Sequence, residues 1–406
     1  MAPRIVCLLT IHGVGFQQGP DDEHDQPGYA DVLHERLSGP LGSLLSDDPN
    51  RNDPGNPHPP GKRGPIYVRS HWPPVTSPPG TNEGPAGSIE AGLRRLGTWE
   101  TRERRAVVHD EVEQRLAGDD RAQIAHVALI YSNLPDLQLD LGALGVTAEM
   151  ALGSLGHYSS VLNLVKMGVQ DIRALLGHPA QAAAPTPSLR VRDEADGGID
   201  PDAVRVVFER LVRDVATYIA RNDMRERVRS FVQEALLRLC SRDDVAGIVV
   251  NAHSQGSVVA YDVLSQLPPA AAGQVRAFVT LGSPLRKYVT LFFWGREVGC
   301  LEGMGPPKTW TNFWDPLDPV ADPLVPGPQW RRGDELPQPA DAPVLFRALN
   351  AENGVLAPFP PRDVQVDNVA RSRGGGLQAH NYWDNTGEVI APLADILRRV
   401  AEQVAR

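Results

Sequence analysis

Short apolar runs rich in valine, isoleucine and leucine recur along the chain, and most show no alternation of apolar and polar positions. The runs are Ile5 to Ile11, Ile66 to Arg69, Ile124 to Tyr131, Val245 to Asn251, Val275 to Leu281, Trp310 to Trp314 and Val364 to Val366. Strands covered on both faces have this pattern, as in a parallel sheet with helices on each side. We therefore expect each run to be a strand.

Segments with helical periodicity lie between these runs. The clearest extends from Asp200 to Ile219, with apolar residues at helical spacing and Pro201 at a first-turn position. Strands that alternate with helices along the chain are typical of the α/β class. The pattern predicts an α/β fold with a mostly parallel central sheet and helices on both faces, in one domain that spans residues 1–406.

Three segments interrupt the alternation. Residues 47–65 and 71–85 are rich in proline and glycine, which predicts surface loops. Residues 136–187 are apolar, carry few charges and end in a low-complexity tract, which predicts a helical insertion within the domain. Two interpretations of this insertion stay open: a lid over a pocket, or a helical layer packed on the sheet.

Charge and apolar run length limit the kinds of partner and the cellular location that we expect. The formal net charge is −10 and no stretch is basic, which argues against a nucleic-acid partner. The apolar run Ile5 to Ile11 is shorter than the core of a signal peptide, and no run is long enough to span a bilayer. We expect a cytoplasmic protein, with peripheral membrane contact left open; the sequence does not indicate an oligomeric state.

Neither the cysteines nor the acidic residues form a recognisable metal site. Cys7, Cys240 and Cys300 lie far apart without zinc-ligand spacing, and their number and placement predict no disulfide framework. The acidic run Asp21 to Asp25 lacks the ligand spacing of a calcium loop. We therefore expect no metal.

A candidate nucleophile lies between a strand and a helix. The segment from Ile248 to Ala260 is an apolar strand, a tight turn of small residues around Ser254 and the start of a helix. A serine hydroxyl is a weak nucleophile until a base removes its proton, and a sharp strand-to-helix turn keeps its Oγ exposed. A serine that only caps a helix after a buried strand is the alternative.

Two motifs resemble the α/β-hydrolase superfamily. The segment Ala252 to Gly256, Ala-His-Ser-Gln-Gly, resembles the family's Gly-x-Ser-x-Gly elbow, with alanine in place of the first glycine. The segment Ile11 to Val14, Ile-His-Gly-Val, resembles the His-Gly pair that many lipases and esterases carry after an early strand. The resemblance implies an α/β-hydrolase fold and an oxyanion hole formed by the backbone N–H groups of Val14 and Gln255.

The resemblance also implies a general base. In this superfamily the chain order is nucleophile, acid, histidine, and His380 is the one histidine that follows Ser254. It lies after the candidate last strand and a glycine-rich loop, and before a final helix that we expect to begin near Thr386. The alternative is a surface or packing histidine beside aromatic residues.

The acid should follow a strand between the nucleophile and the base. The run Trp310 to Trp314 is followed by Asp315 and Asp318. We predict Asp318, because Asp318-Pro319-Val320 resembles the Asp-x-Val turn that follows the acid-bearing strand in many lipases. Asp315 is the main alternative and Asp322 a remote third; the unchosen one of the first two is expected to cap the turn.

These motifs together predict a serine hydrolase of the esterase or lipase kind, which cleaves carboxylic esters through an acyl-enzyme and needs no cofactor. The apolar insertion and the aromatic stretch Tyr288 to Trp294, which follows a lipase-like Gly-Ser-Pro at 282–284, favour a lipid or acyl ester. The same machinery serves thioesters and amides, so a thioesterase or amidase is the first alternative. A binding module that keeps the fold without turnover is the second.

Overall fold

Parallel strands form the centre of the structure, which is a computed structural model. It describes residues 5–13, 29–47, 64–69, 123–131, 218, 222–286, 288, 300–302, 308–318, 320–325, 346–349, 356–371 and 378–405. The predicted insertion at 136–187 and, apart from Tyr218, the predicted helix at 200–219 lie outside the described residues. Most of the two proline- and glycine-rich segments lie outside them as well.

Eight strands pair into one sheet. In chain order the described strands are β1 (Ile5–Ile11), β2 (Leu45–Ser46), β3 (Ile66–Arg69), β4 (Ile124–Ile130), β5 (Val245–His253), β6 (Val275–Leu281), β7 (Cys300–Glu302), β8 (Thr309–Trp314), β9 (Arg347–Leu349), β10 (Leu356–Pro358) and β11 (Arg362–Gln365). The sheet order is β11-β8-β6-β5-β1-β4-β2. β3 also pairs with β4, along the part of β4 that follows its pairing with β2. Every pair in this sheet is parallel.

The predicted strands are confirmed, and with them the α/β class. The bounds of β1, β3 and β6 are those predicted, whereas β5 runs on to His253 and β11 begins earlier, at Arg362. The sequence pattern missed β2 and the small second sheet of β10, β9 and β7. These strands have only two or three residues each, which is too short for a periodicity to appear.

Helices cover both faces of the sheet. The described α-helices are α1 (Tyr29–Leu41), α2 (Asn222–Cys240), α3 (Gln255–Leu264), α4 (Pro269–Ala272), α5 (Asn368–Arg371) and α6 (Ala391–Ala405). Cys7 and Leu9 of β1 belong to the core shared with α2 and α3, whereas Val6 and Leu8 belong to the core shared with α1 and α6. Burial on both faces explains the unbroken apolar runs. Within the described part of the chain, no helix is both long and apolar enough to cross a bilayer.

The parallel arrangement determines where functional side chains meet. Parallel strands all end at the same edge of the sheet, and ligands of open α/β sheets bind outside that edge. The neighbouring strands β1, β5, β6 and β8 therefore bring four chain segments to one edge: His12 and Gly13, Ser254 and Gln255, Gly282 and Ser283, and residues 315–318.

A hydrogen-bonded chain of polar side chains, buried except for part of Asp47, joins β1 and β4 to α1. Thr10 Oγ1 lies 2.9 Å from His126 Nε2, and His126 Nδ1 lies 3.2 Å from His34 Nδ1. His34 Nε2 lies 3.0 Å from Asp47 Oδ1. When Asp47 is ionised, one set of protons satisfies the chain, because the Thr10 hydroxyl, His126 Nδ1–H and His34 Nε2–H each donate toward the carboxylate.

Removal of the central histidine should break two buried hydrogen bonds, those of His126 with Thr10 and with His34 Nδ1. We expect His126→Leu to lower the free energy of unfolding by roughly 1–3 kcal/mol or more, the cost of unsatisfied buried polar groups. Urea denaturation measures this value. Ser241→Ala is the control, because Ser241 is exposed and its hydroxyl donates to the nearby Arg238 carbonyl; its change should stay within about 0.5 kcal/mol. Equal stability of His126→Leu and the wild type would contradict the account.

Candidate active site

Ser254 has an unusual backbone conformation at the junction of β5 and α3. Its φ is 53° and its ψ is −131°, and it is the one non-glycine residue with positive φ in the described ranges. Such a conformation costs on the order of 1–3 kcal/mol and persists only where the surroundings impose it. Here the Ser254 N–H donates to the Leu281 carbonyl (2.9 Å), and the Ser254 carbonyl accepts from Ser257 N–H (2.9 Å).

Two glycines allow the end of β1 to approach this turn. A Cβ atom on Gly256 would lie 2.5 Å from the carbonyl oxygen of Ile11. A Cβ atom on Gly13 would lie 2.5 Å from Ser254 Cβ and 2.9 Å from Ser254 Oγ. Since no side chain fits at either position, both residues have to be glycine, and the loop after β1 lies directly against the serine.

Gln255, one of the two predicted oxyanion donors, lies where the loop after β1 meets the serine turn. The backbone N–H of Gln255 belongs to the first turn of α3, where N–H groups have no partner within the helix. The nitrogen lies 3.0 Å from the Cβ position of Gly13. The Gln255 side chain is buried, and its Oε1 accepts a hydrogen bond from the Tyr288 hydroxyl. Val14, the other predicted donor, lies outside the described residues.

A buried hydrogen bond joins His380 to Asp318. His380 Nδ1 donates to Asp318 Oδ2 over 2.7 Å, and the two side chains are 2% and 0% exposed. The same Oδ2 accepts from the Tyr382 hydroxyl (2.9 Å), and Oδ1 accepts from Val320 N–H (2.9 Å). A carboxylate this deeply buried needs such donors, because hydrogen bonds replace the water that it loses.

The His380 ring lies beside the serine turn. Gly282 follows Leu281, whose carbonyl binds Ser254, and a Cβ atom on Gly282 would lie 3.0 Å from His380 Cε1. Gly282 has a φ of +60°, so both its backbone conformation and the adjacent ring favour glycine. His253, the residue before Ser254, donates from Nε2 to the carbonyl oxygen of His380 (3.1 Å). The structure thus brings Asp318 and His380 into direct contact and sets both beside the turn that carries Ser254.

The alternative acid, Asp315, binds backbone groups. Its Oδ1 accepts from Leu317 N–H (2.7 Å) and its Oδ2 from Asn368 N–H (2.6 Å). Burial raises the pKa of Asp315 to about 7, although both N–H groups act in the opposite direction. Asp315 therefore caps the turn after β8, a role predicted for one of the two aspartates. Asp322 takes part in the same loop through its backbone, which donates to the Ser283 carbonyl.

Several residues that hold the site together carry no signal of this role in the sequence. Tyr382 donates to Asp318 and accepts from Asp315 N–H (2.9 Å), so one phenol joins the two aspartate positions. The hydroxyls of Ser257 and Ser283 lie 2.6 Å apart and connect α3 to the loop after β6. The Gly-Ser-Pro motif at 282–284 was a signal for that loop, whereas nothing in the sequence around Tyr382 indicates its partners.

The two described cysteines are buried thiols. Burial raises the pKa of the Cys240 thiol to about 12 and that of Cys7 further, so neither is a reactive thiolate. Among the described residues, no three His, Cys, Asp or Glu side chains gather closely enough to hold a metal ion.

The arrangement has the parts that nucleophilic catalysis requires. A hydroxyl on a strained turn, an imidazole held by a buried carboxylate and an N–H group at a helix N-terminus lie at one edge of the sheet. Comparisons with protein-family models, with curated proteins and with solved structures find no match to this chain. A proposal for the function therefore rests on the geometry of the site.

The buried histidines of the site predict a loss of stability in acid. Burial lowers the pKa of His12 to about 4, and burial followed by the charge of His380 lowers that of His253 well below its usual value. The pKa of a histidine in an unfolded chain is about 6.5, so below that pH the unfolded chain binds more protons than the folded one. The stability that these neutral histidines contribute should be fully present above about pH 6.5. It should be lost as the pH falls toward their pKa values in the folded protein.

A histidine variant isolates one of these contributions. Between about pH 6 and 5, the unfolding free energy of His12→Gln should change less steeply than that of the wild type, by about 1 kcal/mol per pH unit. Asp315, whose raised pKa acts in the opposite direction, is common to both proteins and cancels in the comparison. Urea denaturation across this range measures the slopes, and parallel slopes would contradict the burial of a neutral His12.

Proposed function

We propose that the protein is a serine hydrolase of the α/β-hydrolase kind, in which Ser254 is the nucleophile, His380 the general base and Asp318 the acid. The observation that carries the proposal is the buried 2.7 Å hydrogen bond from His380 Nδ1 to Asp318 Oδ2, beside the strained turn of Ser254. A capping serine or a packing histidine explains neither the positive φ nor the buried carboxylate. The order of the parallel strands supports the hydrolase fold as part of this proposal.

In the proposed reaction each group has its own task. The Asp318 carboxylate holds the proton on Nδ1 of His380, so that Nε2 is the nitrogen that takes the proton of the Ser254 hydroxyl. The serine oxygen attacks the ester carbonyl, and the imidazolium returns its proton to the leaving alcohol. Water then repeats the sequence on the acyl-enzyme, which releases the acid and restores the serine.

The oxyanion of each tetrahedral intermediate needs preorganised donors. The N–H of Gln255, at the N-terminus of α3 and beside Gly13, supplies one of them. The resemblance to lipases and esterases supplies Val14 as the second. No step of this sequence calls for a cofactor.

The choice between the two aspartates provides the sharpest kinetic test. Asp318→Asn should lower kcat for p-nitrophenyl butyrate by about 10⁴-fold, because an amide no longer holds the productive tautomer of the base. Asp315→Asn is the matched control, since the carboxylate of Asp315 accepts from backbone N–H groups; it should lower kcat by less than about tenfold. Thermal unfolding of both variants checks that they are folded. Equal losses of kcat would overturn the assignment of Asp318.

A lipid or acyl ester is the substrate class that we propose. An apolar acyl site gains up to about 0.8 kcal/mol for each buried methylene, so kcat/KM should rise by up to about fourfold per methylene. A series of p-nitrophenyl esters from acetate to longer acyl groups measures this trend. A steep fall in kcat/KM beyond acetate would contradict a lipid substrate. Faster turnover of matched thioesters or amides would favour those classes, and absence of turnover on every substrate would favour a binding module.

A further inference from the structure

His253 connects the strand of the nucleophile to the segment of the base. It is the last residue of β5, directly before Ser254, and its side chain is 0% exposed. Its Nε2–H donates to the backbone carbonyl of His380 over 3.1 Å, and the two rings lie 4.5 Å apart between centroids with their planes at 47°. The ring of His253 therefore contacts the general base through both a hydrogen bond and a packed face.

Aromatic side chains enclose the ring of His253. Trp383 packs perpendicular to it at 5.1 Å, and Tyr29 and Tyr382 lie at 5.9 and 6.0 Å. Burial in this enclosure, together with the charge of His380, lowers the pKa of His253 well below its usual value. The lowered pKa favours the neutral form of His253, which matters because a cation at this distance would oppose formation of the His380 imidazolium.

The hydrogen bond of His253 and the bond that orients the base use different atoms of His380. Asp318 binds the imidazole of His380 at Nδ1, whereas His253 binds the backbone of the same residue. One bond sets the tautomer and the rotation of the ring. The other sets the distance of the whole residue from the end of β5, directly before Ser254, so the two bonds together restrict the approach of base and nucleophile.

We propose that His253 is a positioning residue for the general base, which holds the backbone of His380 at the distance from Ser254 that proton transfer needs. This inference rests on the proposed function. Small displacements of a catalytic group reduce rates steeply, since about 1 Å of misplacement can cost roughly 100-fold. Loss of the His253 donor should therefore affect kcat much more than KM.

Variants of His253 separate the donor from the ring. His253→Phe keeps an aromatic ring and loses the N–H, and it should lower kcat for p-nitrophenyl butyrate by about 10- to 100-fold with KM within about twofold. His253→Gln keeps an N–H donor of similar reach and should retain kcat within about fivefold of the wild type. Tyr218→Phe is the matched control, because it removes one buried hydrogen bond, to Asp262, outside the site. If His253→Phe does not fold, His253→Asn, whose shorter amide does not reach the His380 carbonyl, takes its place.

A second readout does not depend on turnover. The Nδ1 proton of His380, donated to Asp318, should give a low-field proton resonance in the wild type and in His253→Gln. In His253→Phe the backbone of His380 is no longer held, so the bond to Asp318 should lengthen and the resonance should broaden or disappear. Unchanged kcat and an unchanged resonance in His253→Phe would overturn the proposal, as would equal losses in the Gln and Phe variants. A wild type without turnover would instead defeat the proposed function, while the resonance still decides whether His253 holds the backbone of His380 in place.

Discussion

The Asp318 carboxylate lies out of reach of water, so the protein itself has to supply its hydrogen-bond donors. His380 Nδ1–H, the Tyr382 hydroxyl and Val320 N–H each donate to it. An uncompensated buried carboxylate costs several kcal/mol, so these donors are a condition of folding as well as of chemistry. Two of the three come from the segment after residue 378, which is therefore held against the edge of the sheet where β8 ends.

The parallel sheet supplies the other half of the site. It brings the end of β1, the serine turn after β5 and the loop after β6 to the edge that also receives Asp318. Glycines at 13, 256 and 282 allow these segments to approach more closely than any side chain permits. The positive φ of Ser254 is the local cost of the arrangement, and contacts from the neighbouring strands hold the residue in that conformation.

The sequence was most informative where a signal was local. Unbroken apolar runs predicted the strands of the central sheet, because burial on both faces removes the polar alternation. The serine turn and the His-Gly pair are also local, and the structure brings them into contact. The choice of Asp318 over Asp315 rested on a resemblance, since both residues follow the same strand. Tyr382 and His253 went unrecognised because their partners lie 64 and 127 residues away along the chain.

The central claim is that the Ser254 hydroxyl is activated by His380. Reaction of the folded protein with a fluorophosphonate, followed by mass-spectrometric mapping of the adduct, tests it most directly. The account predicts one adduct, on Ser254, and a much slower reaction of equally folded His380→Gln. A folded wild type without an adduct on Ser254, or a His380 variant that reacts at the wild-type rate, would contradict it.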